Sequence, residues 1–185
     1  MVRALIAAGA DVNKATIGEL VTPMHLAAHS GHEAVIRALI AGGADFNSGD
    51  GIAGATPLFN AARKGCEAAA RALIAAGAEI DKATRHGQTP LIAASKNGHA
   101  ETVRLLIAAG ADINHSDENG ATALFLVAAK GFEATARVLI DAGADVNKAS
   151  NRGITPLTAA SYLNHDAVAR MLRDAGARLE ASTVM

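Results

Sequence analysis

Thr22-Pro23-Met24-His25-Leu26-Ala27-Ala28 is matched 34 residues later by Thr56-Pro57-Leu58-Phe59-Asn60-Ala61-Ala62, then at intervals of 33 by strings opening Thr89-Pro90, Thr122-Ala123 and Thr155-Pro156. The second half of each copy repeats as well: Leu39-Ile40-Ala41-Gly42-Gly43-Ala44-Asp45 recurs as 73–79, 106–112 and 139–145. The chain is therefore one unit copied. Stacked copies bury their apolar faces against each other and present a continuous surface instead of one cleft, which argues for binding a macromolecule over catalysis.

Each copy reads as a pair of short helices. The Thr hydroxyl accepts from an orphan amide as N-cap, and Pro fixes φ at the first helical position, where its missing N–H costs nothing. Nine residues after each Thr stand Gly31, Gly65, Gly98, Gly131 and finally Asn164, the residue types that end a helix in the left-handed conformation. Val35, Ile36, Leu39 and Ile40 have helical spacing and predict a second helix, which Gly9, Gly43, Gly77, Gly110, Gly143 and Gly176 close in successive copies. Segments such as Asp45-Phe46-Asn47 and Asp145-Val146-Asn147 lead into polar turns such as Asp117-Glu118-Asn119-Gly120, expected as hairpin tips.

This pattern resembles the ankyrin-repeat family, whose helix–turn–helix–hairpin unit carries Thr-Pro-Leu-His-x-Ala near its start. Met24-His25-Leu26-Ala27-Ala28 with Gly31-His32 comes closest. The resemblance covers essentially the whole chain and implies an all-α solenoid of stacked helix–turn–helix units with short β-hairpin or loop tips. It would form a single domain over 1–185: a partial repeat 1–21, then five recognisable repeats 22–55, 56–88, 89–121, 122–154 and 155–185. His25 is replaced by Phe59, Ile92, Phe125 and Thr158, and His32 by Cys66 and Phe132, so the family's Thr–His hydrogen bonding is not expected in most copies. The loops Thr16–Val21 and Ser48–Ala55 each carry an extra residue and are expected to be irregular.

Half the residues are hydrophobic but only 3% aromatic, so Ala, Leu, Ile and Val do the packing. The formal charge of −1 gives no general attraction to nucleic acid or membrane, and no segment is apolar for long enough to span a bilayer. Cys66 is the only cysteine, which excludes an intrachain disulfide and favours an intracellular, cytoplasmic or nuclear, setting. Eighteen residues after each Thr come Ile40, Ile74, Ile107 and Ile140, but Arg173 in the last copy. A cation there reads as a polar cap, and hence as a natural C-terminal end. Met1–Ala10 reads as a second helix without a first, leaving an apolar face partly uncovered. The expectation is truncation of a longer array, with self-association or a partner as the alternatives.

Two charged series run along the copies. Arg3, Arg37, Arg71, Arg104, Arg137 and Arg170 share one position. Glu33, Glu67, Glu133 and Asp166 precede their arginines by four residues and Glu101 by three, which predicts a solvated outer face of ion pairs worth a few tenths of a kcal/mol each. The other series, seven and eight residues after each Thr, runs His29-Ser30, Arg63-Lys64, Lys96-Asn97, Ala129-Lys130 and Tyr162-Leu163. The resemblance implies that this stretch and the hairpin tips look onto the concave groove that usually binds partners. Carried over by position, the partner-binding candidates are His29, Arg63, Lys64, Lys96, Asn97 and Lys130 as a largely basic stripe, Tyr162 and Leu163 as an apolar anchor, and Arg85, His86, Glu118, Asn119 and Arg152 at the tips. Cations near a helix C-terminus also satisfy its negative pole, a purely structural explanation of the stripe.

Other chemistry finds little support. His25, His29 and His32 lie close together, but no Cys or carboxylate completes a zinc set. Cys66 takes a framework position and has no activating base nearby in sequence. Gly49–Gly54 lacks the Lys and Ser/Thr of a phosphate loop. Without a nucleophile–base or carboxylate pair the chain reads as non-catalytic, with no cofactor and no metal. The expected function is a protein-interaction module, a monomer or weakly self-associating through the uncapped N-terminal helix, that takes an acidic segment of another protein on its concave face. A binder of an anionic ligand or nucleic acid through the same stripe is the alternative, less favoured because the cations are few and aromatics scarce. A designed ankyrin scaffold is a further one, although the drift of the framework itself favours a natural chain.

Overall fold

Threonine hydroxyls start the inner helices. Thr56, Thr89, Thr122 and Thr155 adopt extended backbone and accept at Oγ1 from the amide three residues on, at 3.1, 3.3, 3.1 and 3.2 Å. In the computed structural model, which describes residues 1–178, eleven helices follow in chain order. They are α1 (Val2–Ala7), α2 (Pro23–His29), α3 (Glu33–Ala41), α4 (Pro57–Lys64), α5 (Glu67–Ala75), α6 (Pro90–Lys96), α7 (Ala100–Ala108), α8 (Ala123–Lys130), α9 (Glu133–Asp141), α10 (Pro156–Tyr162) and α11 (Asp166–Asp174). The end of the last expected repeat, 179–185, lies outside the described residues.

Packing sorts the helices into two rows. The even-numbered helices contact each other in sequence as an inner row, the odd-numbered ones as an outer row, and each inner helix packs on the outer helix that follows it. The core is one continuous seam between the rows. Met24, Leu58, Leu91, Leu124 and Leu157 enter it from the inner helices, and Leu39, Leu73, Leu106, Leu139 and Leu172 from the outer ones, each at most 3% exposed. A fully buried Leu is worth about 1.5–3 kcal/mol, so these ten positions dominate the apolar stabilisation. Ile40, Ile74, Ile107 and Ile140 are half-buried against the same seam, while Arg173 stands exposed at the equivalent place. At the other end α1 packs on α3 through Ile6 but buries no residue fully, and Leu5 stays 54% exposed.

His25 makes the one Thr–His capping box among the described residues. Thr22 N–H donates to His25 Nδ1 at 3.2 Å, the Thr22 hydroxyl lies 2.8 Å from the same nitrogen, and Nε2 donates to the Ala55 carbonyl at 3.1 Å. Thr158 substitutes a hydroxyl contact to Thr155 of 3.0 Å. Phe59 and Ile92 bury their side chains instead.

The tips depart from the expected hairpins. Among the described residues there is no strand, only an isolated antiparallel bridge between Ser116 and Thr122. Each tip is instead a turn closed by two backbone bonds, such as Thr84 N–H to Gln88 C=O at 3.0 Å with Gly87 N–H to Thr84 C=O at 2.9 Å, or Ser150 N–H to Ile154 C=O at 3.0 Å with Gly153 N–H to Ser150 C=O at 2.8 Å. Successive tips are joined by one backbone bond each, Gly51 to Glu19, Arg85 to Ala53, Glu118 to His86 and Asn151 to Asn119, at 2.7–3.1 Å, with side-chain bonds added at the later tips. The two longer loops are irregular as expected. Leu20 is pushed to φ +49° in one, and in the other the Asp50 carboxylate gathers the amides of Ile52, Ala53, Gly54 and Ala55.

Candidate functional site

The last turns of the inner helices follow one another along the inner row of the stack. His29 ends α2, Arg63 and Lys64 end α4, Lys96 ends α6, Lys130 ends α8 and Tyr162 ends α10, so the seven- and eight-residue offsets place all of them on one rim. All are exposed, as are Asn97, Leu163 and the tip residues Arg85, His86, Glu118, Asn119 and Arg152. Four cations at helix C-termini also suit the dipole.

The candidates differ in how far they are engaged. Arg63 Nη2 lies 3.4 Å from His29 Nδ1 and donates to Asn60 Oδ1 at 3.3 Å. Burial, followed by the nearby Lys64 and Arg63 charges, pushes the His29 pKa below the ordinary imidazole value of 6.5. His29 is thus a neutral acceptor beside two cations. Lys64, Lys96, Lys130 and Arg152 enter no ion pair among the described residues. Asn97 is turned back onto its own helix, donating from Nδ2 to the Ala93 carbonyl at 2.8 Å. Arg85 is tied to the preceding tip, with Nη1 donating to the carbonyls of Gly51 and Ile52 at 2.9 and 3.0 Å. His86 and Glu118 face each other across adjacent tips at 3.1 Å. The basic character is therefore concentrated in Lys64, Lys96 and Lys130, with Arg152 above them.

The outer face behaves differently, and its expected ladder is only partly formed. Arg37–Glu33 and Arg71–Glu67 pair at 2.6 and 2.5 Å, but Arg104, Arg137 and Arg170 are not within ion-pair distance of Glu101, Glu133 and Asp166. Nothing in the structure explains why these three pairs stay apart while the two earlier ones close.

Apolar exposure gathers at the far end of the same rim. Tyr162 is 85% exposed and Leu163 45%. With Phe125, Ile154, Thr158 and Ala129 they line a hollow of about 420 Å³. The hollow has a simple origin. Position Thr+3 holds His25, Phe59, Ile92 and Phe125 in earlier copies but the smaller Thr158 in the last, so Phe125 is covered less completely than Phe59 or Ile92. Phe125 and Ile154 are absent from the sequence-based candidates. The available signal was a bulky residue directly before Thr155, where the neighbouring copies have Gln88 and Ala121. A second exposed apolar group, Leu20, Leu26 and Ile52, marks the opposite end.

Among the described residues no three His, Cys, Asp or Glu side chains converge as a metal set, and no helix is long and apolar enough to cross a membrane. Cys66 is half-buried, with Sγ 4.0 Å from the His29 carbonyl. The family model described as ankyrin repeats matches the chain in three copies, over residues 1–84, 24–117 and 110–183. The chain belongs to the ankyrin-repeat family. Comparison with curated proteins gives no significant match. Ankyrin repeats are in general protein–protein interaction modules and typically non-catalytic, and the rim described above is a row of side chains on such an array.

Proposed function

We propose that this ankyrin-repeat chain is a non-catalytic interaction module that takes an acidic segment of a partner protein along its concave rim. The observation that carries the proposal is the contrast between the two faces. Lys64, Lys96 and Lys130 end consecutive inner helices that contain no carboxylate, whereas each outer helix from α3 to α11 carries an acidic residue in its first turn together with its arginine. Aligned cations of this kind attract carboxylates and accelerate encounter, with an affinity that falls as salt rises.

Affinity capture with wild type and with an Arg63/Lys64/Lys96/Lys130→Ala variant, side by side, tests the reading. All four side chains are exposed, so the variant is expected to fold. A protein retained by wild type and lost by the variant supports the proposal, and retention unaffected by the variant contradicts it. Capture that disappears on nuclease treatment, with a steep loss of affinity between low and moderate salt, would point to nucleic acid instead.

A further inference from the structure

Resting on that reading, we infer that the partner segment is not acidic alone: it carries one large apolar side chain that seats in the hollow between α8 and α10, with a carboxylate a few residues away. The hollow framed by Phe125, Ile154, Thr158 and Tyr162 adjoins a second one of about 300 Å³, with Phe125 and Ile154 lining both. The second is bordered by Asn119, Asn151 and Arg152. The trough is thus apolar at the Tyr162 end and hydrogen-bonding and cationic at the Arg152 end, with Lys130 next along the chain to Ala129 in the apolar wall.

Charge complementarity selects the occupant. Arg152 enters no ion pair among the described residues, and Glu118 on the preceding tip lies 3.1 Å from His86 instead. A phosphate backbone would find cations here but no use for the apolar end. An uncharged apolar surface would leave Arg152 and Lys130 facing it without partners. An extended peptide with an apolar residue and a neighbouring Asp or Glu satisfies both ends at once. Tyr162 forms one wall while keeping most of its surface in solvent, the disposition of an aromatic anchor that gains its contacts on binding.

The test is selection of displayed random 12-residue peptides on the full chain. The enriched sequences are then measured as labelled synthetic peptides against wild type, Tyr162→Ala, Thr158→Phe and Lys64→Glu/Lys96→Glu. Tyr162→Ala alters an exposed side chain, and Thr158→Phe restores the bulk found at Phe59 and Phe125, filling the hollow; circular dichroism confirms that each folds. Expected is enrichment of a large apolar residue within about three positions of Asp or Glu, with binding weakened about tenfold or more by both hollow variants. Acidic peptides without an apolar residue, insensitive to Tyr162→Ala and Thr158→Phe but lost on Lys64/Lys96 reversal, would overturn the anchor and leave the acidic-segment reading standing. Apolar peptides without acids would also overturn it. No enrichment, or binding unmoved by every variant, would count against both.

Discussion

His99 donates from Nε2 to the backbone carbonyl of Arg63, 3.1 Å away, so the residue that opens one outer helix holds the end of the neighbouring inner helix. His165 does the same for Ala129 at 3.3 Å. Because the acceptor is a carbonyl, Nε2 carries the proton in both rings. The contact is made to the backbone of Arg63, so the same bond links two units and fixes the end of the helix that carries Arg63 and Lys64.

Gly65 makes that seat possible. Its φ is +68°, and a Cβ there would stand 2.6 Å from the His99 ring. Gly77, at φ +93°, has nothing within 4 Å of the same point. Gly77→Ala is therefore expected to cost only the left-handed backbone penalty, about 1–2 kcal/mol. Gly65→Ala should cost at least about 1 kcal/mol more, from displacing the ring and losing its bond. Urea midpoints of the two variants measure the difference, and equal midpoints would show that the ring yields without penalty.

Side-chain amides in the Asp-x-Asn segments clamp one unit to the next. Asn13, Asn47, Asn114 and Asn147 accept at Oδ1 from the amides of Asp45, Glu79, Asp145 and Arg178 at 2.8–3.0 Å, and Asp81 takes the same place for Asp112. Asn114→Ala should lower stability by about 0.5–1.5 kcal/mol and speed hydrogen exchange at the Asp145 amide specifically. An unchanged exchange rate there would remove the clamp.

Helix ends were legible in the sequence because their chemistry is local: a Thr-Pro start and a glycine stop act within one turn, and all five threonines cap as expected. The rim followed from a fixed offset on repeated helices. Features that depend on how one unit sits against the next were not legible. The spacing of Asn47 from Glu79 says nothing of their hydrogen bond until the superhelical register is known. Arg85 looked free at a tip and is tied to Gly51. The outer ion pairs were read from spacing alone, yet Glu33–Arg37 closes and Glu133–Arg137, with the same residues at the same spacing, does not. Phe125, Ile154 and Thr158 come from two helices and a loop, and their joint hollow is a property of the assembled stack.

Burial holds the His25 pKa below 6.5, against the opposing pull of the Ala55 carbonyl. Nδ1 already accepts from the Thr22 amide, so protonation there would set two donors against each other. The unfolded chain takes up the proton near pH 6.5 and the folded chain only at lower pH. Stability is therefore flat above that value and falls as pH drops below it, until the folded pKa is passed. His25→Phe, the residue type at Phe59 and Phe125, should reduce the loss of Tm between about pH 7.5 and pH 5.5. An identical pH slope in wild type and variant would contradict this assignment.

Helix α5 is expected to be softer than its outer-row neighbour α7. It buries Ala69, Ala70, Ala72 and Leu73, whereas α7 buries Val103 and Leu106 together with Ala100 and Thr102. At roughly 25 cal/mol per Å² of apolar surface, one large side chain against two leaves α5 with less packing energy. Its amides should exchange faster than those of α7 in native-state hydrogen exchange, and equal protection would contradict a soft centre.

The central claim is that the concave rim, not the convex face, recognises the partner. Its most direct test compares two charge-matched triple variants, Lys64/Lys96/Lys130→Glu on the rim and Arg104/Arg137/Arg170→Glu on the outer helices, by the Kd of the captured partner at one salt concentration. All six side chains are exposed and outside any ion pair among the described residues, so both variants change net charge equally with little effect on folding. The rim variant is expected to weaken binding at least about tenfold, as for charge reversal at complementary interfaces, and the outer variant by less than about threefold. Equal losses, or a larger loss from the outer variant, would contradict the claim.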